Sequence, residues 1–255
     1  MPNPFKNILL KAVAEASKIA NNEFEKAKQI TEKKDSLVTN VDLECNRTII
    51  KTIKTRFMSH NIVSEETGVE DNKSDYTWYI DPIDGTHNFA RKIPIYGVSV
   101  ALACKGRVIM GAVSMPYFNN TYFAEKGRGA FLNNKKMRVS KKKELNYYMI
   151  GIDFPSSRRQ YSLDFLNHIS RHVVDVRQLG CAVYQAVLVA EGKIDAYVIQ
   201  HTNPWDIAAS FLLIEEAGGK VTNFEGREWS LEDKRFVATN GLLHKEILGC
   251  VRSIK

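Results

Sequence analysis

The stretch from Tyr76 to Phe89 constrains this chain more than any other. Five strand-forming residues, Tyr76-Thr77-Trp78-Tyr79-Ile80, run straight into Asp81-Pro82-Ile83-Asp84-Gly85-Thr86-His87-Asn88-Phe89. A strand that ends in nearby aspartates projects both carboxylates into one small volume. Pro82 stiffens a turn, and Gly85-Thr86 open a helix whose backbone N–H groups point outward. Carboxylates for a hard cation beside free amides for an anion make a site for a metal-bound phosphate. An ordinary Asp/Gly turn after a strand is the bland alternative.

Two further segments count against that alternative. Ser64-Glu65-Glu66-Thr67-Gly68 follows the apolar pair Ile62-Val63, and Pro204-Trp205-Asp206-Ile207-Ala208-Ala209-Ser210 leads into a helix ending at Gly218-Gly219. Acidic ligands thus come from three separate places.

The surrounding pattern is a mixed one. Apolar residues from Phe5 to Phe24 recur every three to four positions and predict a long first helix. Thr31 to Asp35 is polar and predicts a loop. Thr39 with Asp42 fits a capping pattern at the start of a second helix. Strands then dominate: Tyr96–Cys104 and Val108–Met115 around a Lys-Gly-Arg turn, then Thr121–Glu125, Ala130–Leu132 and Met137–Val139. This is the signature of an antiparallel meander. In the second half, helices expected at 162–172, 182–191, 205–217 and 243–254 alternate with strands at 173–178, 196–199, 221 and 236–238. Alternation of this kind implies a covered sheet. No repeat or long linker interrupts the chain. It is expected to form one unit, with an α+β half over about 1–145 and an α/β half over about 146–255.

Other classes of protein are disfavoured. No apolar run approaches the roughly 18 to 20 residues that cross a bilayer. The start, Met1-Pro2-Asn3-Pro4-Phe5-Lys6, has no signal-peptide pattern. Cys45, Cys104, Cys181 and Cys250 are scattered, which fits reduced thiols in a cytoplasm and not a thiolate zinc site. The net charge of +7 comes partly from Lys135-Lys136 and Lys141-Lys142-Lys143. Solvated loops explain it, and attraction of anionic substrates or nucleic acid is the functional alternative, unsupported by any nucleic-acid motif.

The motifs D-P-I-D-G-T-H-N-F and P-W-D-I-A-A-S-F-L-L-I-E-E-A-G-G resemble those of the inositol monophosphatase family, magnesium-dependent and lithium-sensitive phosphatases of small polyol and sugar phosphates. The likeness runs from about Phe5 to the C-terminal helix. It implies an α-β-α-β-α sandwich with the site between two halves, a small phosphorylated substrate, two to three Mg2+ ions and a homodimer. It places Glu65, Asp81 and the carbonyl of Ile83 on one ion, and Asp81, Asp84 and Asp206 on a second. A third, weaker ion leans on Glu65. Thr86 and Asp42 orient and deprotonate a metal-activated water. Phosphate rests on the amides of Gly85 and Thr86, and Gly180-Cys181-Ala182 lines the substrate pocket. Glu66 and His87 are not expected to be ligands, and His201 is read as loop.

Two positions depart from the family pattern. Ile199 stands where enzymes acting on inositol phosphate carry a glutamate for sugar hydroxyls, and an isoleucine accepts no hydrogen bond. Lys33 and Lys34 both lie near the place of a mobile-loop lysine. Ile199 thus counts against inositol itself, while the resemblance keeps an inositol-1-phosphate-like phosphomonoesterase as the primary reading. The same chemistry on 3′-phosphoadenosine nucleotides, fructose 1,6-bisphosphate or histidinol phosphate is the alternative, as is a nucleic-acid- or transcription-associated protein on this scaffold.

Overall fold

The computed structural model describes residues 3–26, 29–33 and 36–254. Helix α1 (Pro4–Glu23) opens on an Asn3 cap, whose side chain accepts from the Phe5 amide, with Pro4 at the first helical position. Strands β1 (Gln29–Lys33) and β2 (Ser36–Thr39) pair antiparallel where a loop is expected from polarity. A ribbon this short, with only Ile30, Leu37 and Val38 apolar, carries no sustained alternation, so its pairing left no periodic signal. Of the lysine pair in this region, Lys34 lies outside the described residues, and Lys33 is described only as backbone of β1. Helix α2 (Asn40–Lys54) starts with a reciprocal capping box: Asp42 accepts from the Thr39 amide, and Thr39 accepts from the Asp42 amide.

Strands β3 (Asn61–Ser64), β4 (Gly68–Glu70) and β5 (Tyr76–Asp84) precede the short helix α3 (Thr86–Ala90). The meander follows: β6 (Gly97–Cys104), β7 (Arg107–Met115), β8 (Asn120–Glu125), β9 (Gly129–Leu132) and β10 (Lys135–Lys136). The eight strands form one sheet in the order β10-β9-β8-β7-β6-β5-β3-β4, antiparallel except for the parallel pair β3/β5. The strand expected at Met137–Val139 falls instead on the two residues before it. The remaining elements are β11 (Met149–Ile152), α4 (Arg159–Ile169), β12 (Asp175–Arg177), α5 (Ala182–Ala190), β13 (Ala196–Ile199), α6 (Pro204–Glu216), β14 (Lys220–Asn223), β15 (Phe236–Thr239) and α7 (His244–Ser253). Their five strands form a second sheet in the order β12-β11-β13-β15-β14. β11 is parallel to both neighbours, and the other pairs are antiparallel.

Alternation along β6 explains the layers. Val98, Val100 and Leu102 face α1 and α2 with Leu9, Val13, Ile49 and Ile53. Ala101 and Ala103 face α5 and α6. Across the second sheet, Ile150 and Val198 pack with Phe165 of α4 and Ile247 and Val251 of α7. The result is α1/α2, sheet, α5/α6, sheet, α4/α7: the expected sandwich. Small residues let the middle layer approach closely. A Cβ on Gly111 would lie 2.7 Å from the Cα of Ala209, so the glycine seats α6 directly on β7. That contact fixes the N-terminus of α6, and with it Asp206, at the sheet surface. Among the described residues no helix is long and apolar enough to cross a membrane.

Candidate active site

Three segments deliver the acidic residues to one cleft of about 280 Å³. The end of β5 contributes most. Three residues apart, Asp81 and Asp84 would point to opposite faces of a regular strand. Asp81 pairs with Ser99 and Asp84 with Gly97, so β5 carries one extra residue between them. This bulge restores the parity and brings both carboxylates to the same side. The expected turn at Pro82 is thus a bulged continuation of the strand.

Glu65 arrives from the neighbouring strand. Ser64 is in register with Ile80, and the Glu65 amide donates to the Ile80 carbonyl at 3.1 Å, which sets Glu65 beside Asp81. Asp206 lies in the first turn of α6, where its Oδ2 accepts from the Asn203 amide (2.8 Å) and the Thr202 hydroxyl (2.9 Å). Glu65, Asp81, Ile83, Asp84 and Asp206 all line the cleft, together with Gly85, Thr86, His87, Gly180 and Asn203.

The electrostatics are severe. Asp81 is 1 % exposed, and its Oδ1 has no hydrogen-bond partner among the described residues. Burial, then the charges of Glu65, Asp84, Asp206 and Asp42, hold its carboxyl well above the usual range. Burial and the neighbouring Asp84 push Asp206 up to about 7. Burial raises Asp84 as well, although the Cys181 thiol (2.9 Å) and the Val183 amide (2.7 Å) donate to its Oδ2.

A buried carboxylate oxygen with no donor among the described residues is suited to a cation. Among the described residues no three His, Cys, Asp or Glu side chains make a ready chelate. The donor set instead suits an ion that takes a few carboxylates, a backbone carbonyl such as that of Ile83, and water. Magnesium is such an ion.

Beside the carboxylates stands a second pair. The Thr86 hydroxyl lies 3.3 Å from Asp42 Oδ1 and 2.9 Å from the Ile83 carbonyl. Asp42 Oδ2 is held by the Thr39 amide and hydroxyl, so its helix cap and its Thr86 contact coexist on different oxygens. Burial raises Asp42 to about 6, against hydrogen bonds from Thr39 and with help from the Glu66 charge. Gly85 has φ +84°, and a Cβ there would lie 2.9 Å from the Ile95 carbonyl and 3.1 Å from Cys181 Cβ. Only glycine lets the chain pass this close to the α5 segment.

Some expected residues lie elsewhere. The Cys181 thiol is buried and aimed at Asp84, and the part of its segment that meets the cleft is Gly180. Ala182 begins α5 behind Asp84. Ile199 is 1 % exposed within the apolar cluster of the middle layer. Gln200 is buried, its backbone N–H donating to Asp153 Oδ1 at 3.0 Å and its Oε1 without a partner among the described residues. His201 is exposed. Gly180 lines the cleft as expected, whereas Asn203 was missed as a wall residue. Its signal was adjacency: it sits three residues before Asp206, at the cap of the helix that carries it.

Comparison with known proteins places the sequence and the fold. A model of the inositol monophosphatase family matches residues 1–255. The fructose-1,6-bisphosphatase/inositol-1-monophosphatase of Thermotoga maritima is 37 % identical over 218 residues, 86 % of this chain and 83 % of its own. The Nus factor SuhB of Escherichia coli K12 is 33 % identical over 257 residues, 98 % and 96 % of the two chains. Among solved structures, an IMPase of Thermotoga maritima superposes with TM-score 0.91 at 33 % identity, covering 99 % of this chain and 98 % of its own. The inositol monophosphatase from Anabaena gives 0.89 at 28 % identity, with 98 % and 96 % covered. With a whole-length family match, full-length relatives and a shared fold, this chain belongs to the inositol monophosphatase family.

Proposed function

We propose that this phosphatase hydrolyses a small polyol or sugar phosphate of the inositol 1-phosphate kind, with Mg2+ held by Glu65, Asp81, Ile83, Asp84 and Asp206. The observation that carries the reading is Asp81: a buried carboxylate oxygen without a donor among the described residues, ringed by acidic side chains on the cleft wall. Two to three ions suit this many carboxylates. Bound magnesium supplies Lewis acidity, lowering the pKa of a water and offsetting phosphate charge.

The chain's own residues do the rest. Asp42 takes a proton through Thr86, whose hydroxyl stands 3.3 Å from Asp42 Oδ1. Its second oxygen stays anchored by Thr39, which fixes the orientation. The amides of Gly85 and Thr86 receive the phosphate, and the absent Cβ of Gly85 lets it approach. Cys181 and Val183 bind one oxygen of Asp84 and leave the other for the cleft. Gly180, with Cys181 and Ala182 behind it, forms the substrate wall. Thr202 and Asn203 hold Asp206 in the same manner.

Ile199 weakens the case for inositol itself. The buried isoleucine offers no acceptor to a sugar hydroxyl, so a different small phosphate is the competing substrate. The name of the T. maritima relative, which joins fructose-1,6-bisphosphatase to inositol-1-monophosphatase, favours fructose 1,6-bisphosphate among these. Phosphate release tests this across inositol 1-phosphate, glycerol 2-phosphate, fructose 1,6-bisphosphate, 3′-phosphoadenosine 5′-phosphate and histidinol phosphate, with and without Mg2+. Magnesium-dependent turnover of one of them supports the reading, and none, in folded protein, refutes it.

The E. coli relative named Nus factor SuhB supports a second reading, association with the transcription machinery, alongside catalysis. Binding to nucleic acid that weakens steeply with salt and survives Asp84→Asn would separate this role from catalysis. We also propose a homodimer, which sedimentation velocity checks. A cytoplasmic setting fits the four free cysteines.

A further inference from the structure

One turn of α2 beyond Asp42 lies Asn46, a buried amide that the chemistry above does not use. Its partners are the two ends of the acidic turn between β3 and β4. The Ser64 hydroxyl donates to Asn46 Oδ1 at 2.7 Å, and Asn46 Nδ2 donates to the Thr67 hydroxyl at 3.4 Å. Between these anchors sit Glu65 and Glu66. The Ser64 oxygen is itself an acceptor for the Glu66 amide at 3.3 Å, and the Glu65 amide is tied to β5 at Ile80. Asn46 and Ser64 are each 1 % exposed or less, so no water competes for their bond.

Residues four apart share one face of a helix. Asp42 and Asn46 therefore look the same way, Asp42 to Thr86 and Asn46 to the Glu65 turn. A single helical turn registers the base against one wall of the cleft and the carboxylate of Glu65 against Asp81. A neutral amide suits the place, because it both accepts from Ser64 and donates to Thr67 without adding charge beside Asp42, Glu65 and Glu66.

We infer that Asn46 is a positioning residue for the metal site: by buckling Ser64 to Thr67 it holds Glu65 at the distance from Asp81 that magnesium binding requires. The inference rests on the magnesium reading of the cleft.

The test is calorimetric titration of Mg2+ into the apo-protein, for wild type, Asn46→Ala, Ser64→Ala, the double variant and Ile53→Val. Ile53 is a buried apolar residue two turns further along α2, so its truncation lowers stability without touching the acidic turn. Asn46→Ala and Ser64→Ala should each weaken Mg2+ binding about tenfold, the change that 1.4 kcal/mol makes. The double variant should be no weaker than the worse single one, since both remove one shared bond. Turnover at saturating Mg2+ should stay within about threefold of wild type in all of them, an expectation of the same small scale as one neutral hydrogen bond. Ser64→Ala keeps the test alive if Asn46→Ala does not fold. Wild-type affinity in both single variants, or an equal loss in Ile53→Val, overturns the inference. Wild type that binds no Mg2+ at all overturns the magnesium reading and this inference with it.

Discussion

Asp42→Asn should make the protein more stable and nearly inactive, and the two effects have separable origins. Asp42 is buried, and burial is the largest cause of its rise from the ordinary 3.8 to about 6. The sign follows from linkage. A carboxyl whose folded pKa lies above its unfolded one favours the folded state only while protonated. Its contribution is intact below about pH 4 and is lost as pH climbs through about 6. Two pKa units amount to about 3 kcal/mol of lost stability at pH 8.

The amide mimics the protonated carboxyl and cannot ionise. Its oxygen still accepts from the Thr39 amide, now 2.9 Å away, so the helix cap survives. Its NH2 faces the Thr86 hydroxyl, which accepts it while donating to the Ile83 carbonyl at 2.9 Å. Both polar atoms of the amide, and the Thr86 hydroxyl, therefore keep a partner. Urea unfolding in chelator should show the variant about 1–3 kcal/mol more stable than wild type at pH 8, with the difference gone near pH 4. At the scale of this chain that is a rise of roughly 3–10 °C in Tm. With Mg2+ present, turnover should fall about 10²–10⁴-fold, the usual worth of a general base. A variant less stable than wild type by the same amount at every pH would mean that Asp42 is only a cap, a loss of about 0.5–2 kcal/mol. Retained turnover would refute its part in catalysis directly.

Three other substitutions probe the rest of the site. Asp81→Asn should abolish turnover and the calorimetric Mg2+ signal while circular dichroism stays that of wild type; an active variant refutes the ligand assignment. Gly85→Ala should cost about 2 kcal/mol or more, since it combines a positive φ with a Cβ 2.9 Å from a carbonyl oxygen, and thermal unfolding reads the loss. An unchanged Tm would show that the Ile95–Cys181 approach is loose. Ile199→Glu should lower stability by about 3 kcal/mol or more, because it puts a carboxylate among the apolar side chains of the middle layer. A stable variant with improved turnover of inositol 1-phosphate would show that position 199 faces substrate after all.

What could be read from the chain follows from what each signal is. Helices α1 and α2 announced themselves through apolar spacing and the Thr39/Asp42 box, and β6 and β7 through long apolar runs about a Lys-Gly-Arg turn. β3, β4 and β11 were missed as strands. Ile62-Val63 and Met149-Ile150 are too short to show a period, and they become strands because β5 and β13 offer parallel partners. Partners distant in sequence leave no local trace. At the site, carboxyl residues in motifs are visible because their spacing is unusual. The groups that hold them are common residues in common places: Asn46 and Ser64 for Glu65, Cys181 and Val183 for Asp84, Thr202 and Asn203 for Asp206. Only the packed layers show which of many buried polar residues meets a carboxylate.

That holding network explains how so costly a cluster persists. Several carboxylates raised by burial oppose folding at neutral pH, as the directions for Asp42, Asp81, Asp84 and Asp206 all agree. A flexible surface would relieve the repulsion by turning the side chains to water. Here they cannot turn. Asp81 is fixed by a bulge inside an eight-stranded sheet, Asp206 by a helix start seated through Gly111 and Ala209, and Asp42 by its own cap. Each anchor belongs to a layer with its own apolar core, so relaxing one carboxylate means disrupting a sheet or a helix. The strain is greatest without cation and is relieved when one binds, which makes the same repulsion a source of metal affinity. Stability in chelator should therefore fall with rising pH more steeply than stability in Mg2+, and the gap between the two curves measures how much of the cluster's repulsion the ions remove.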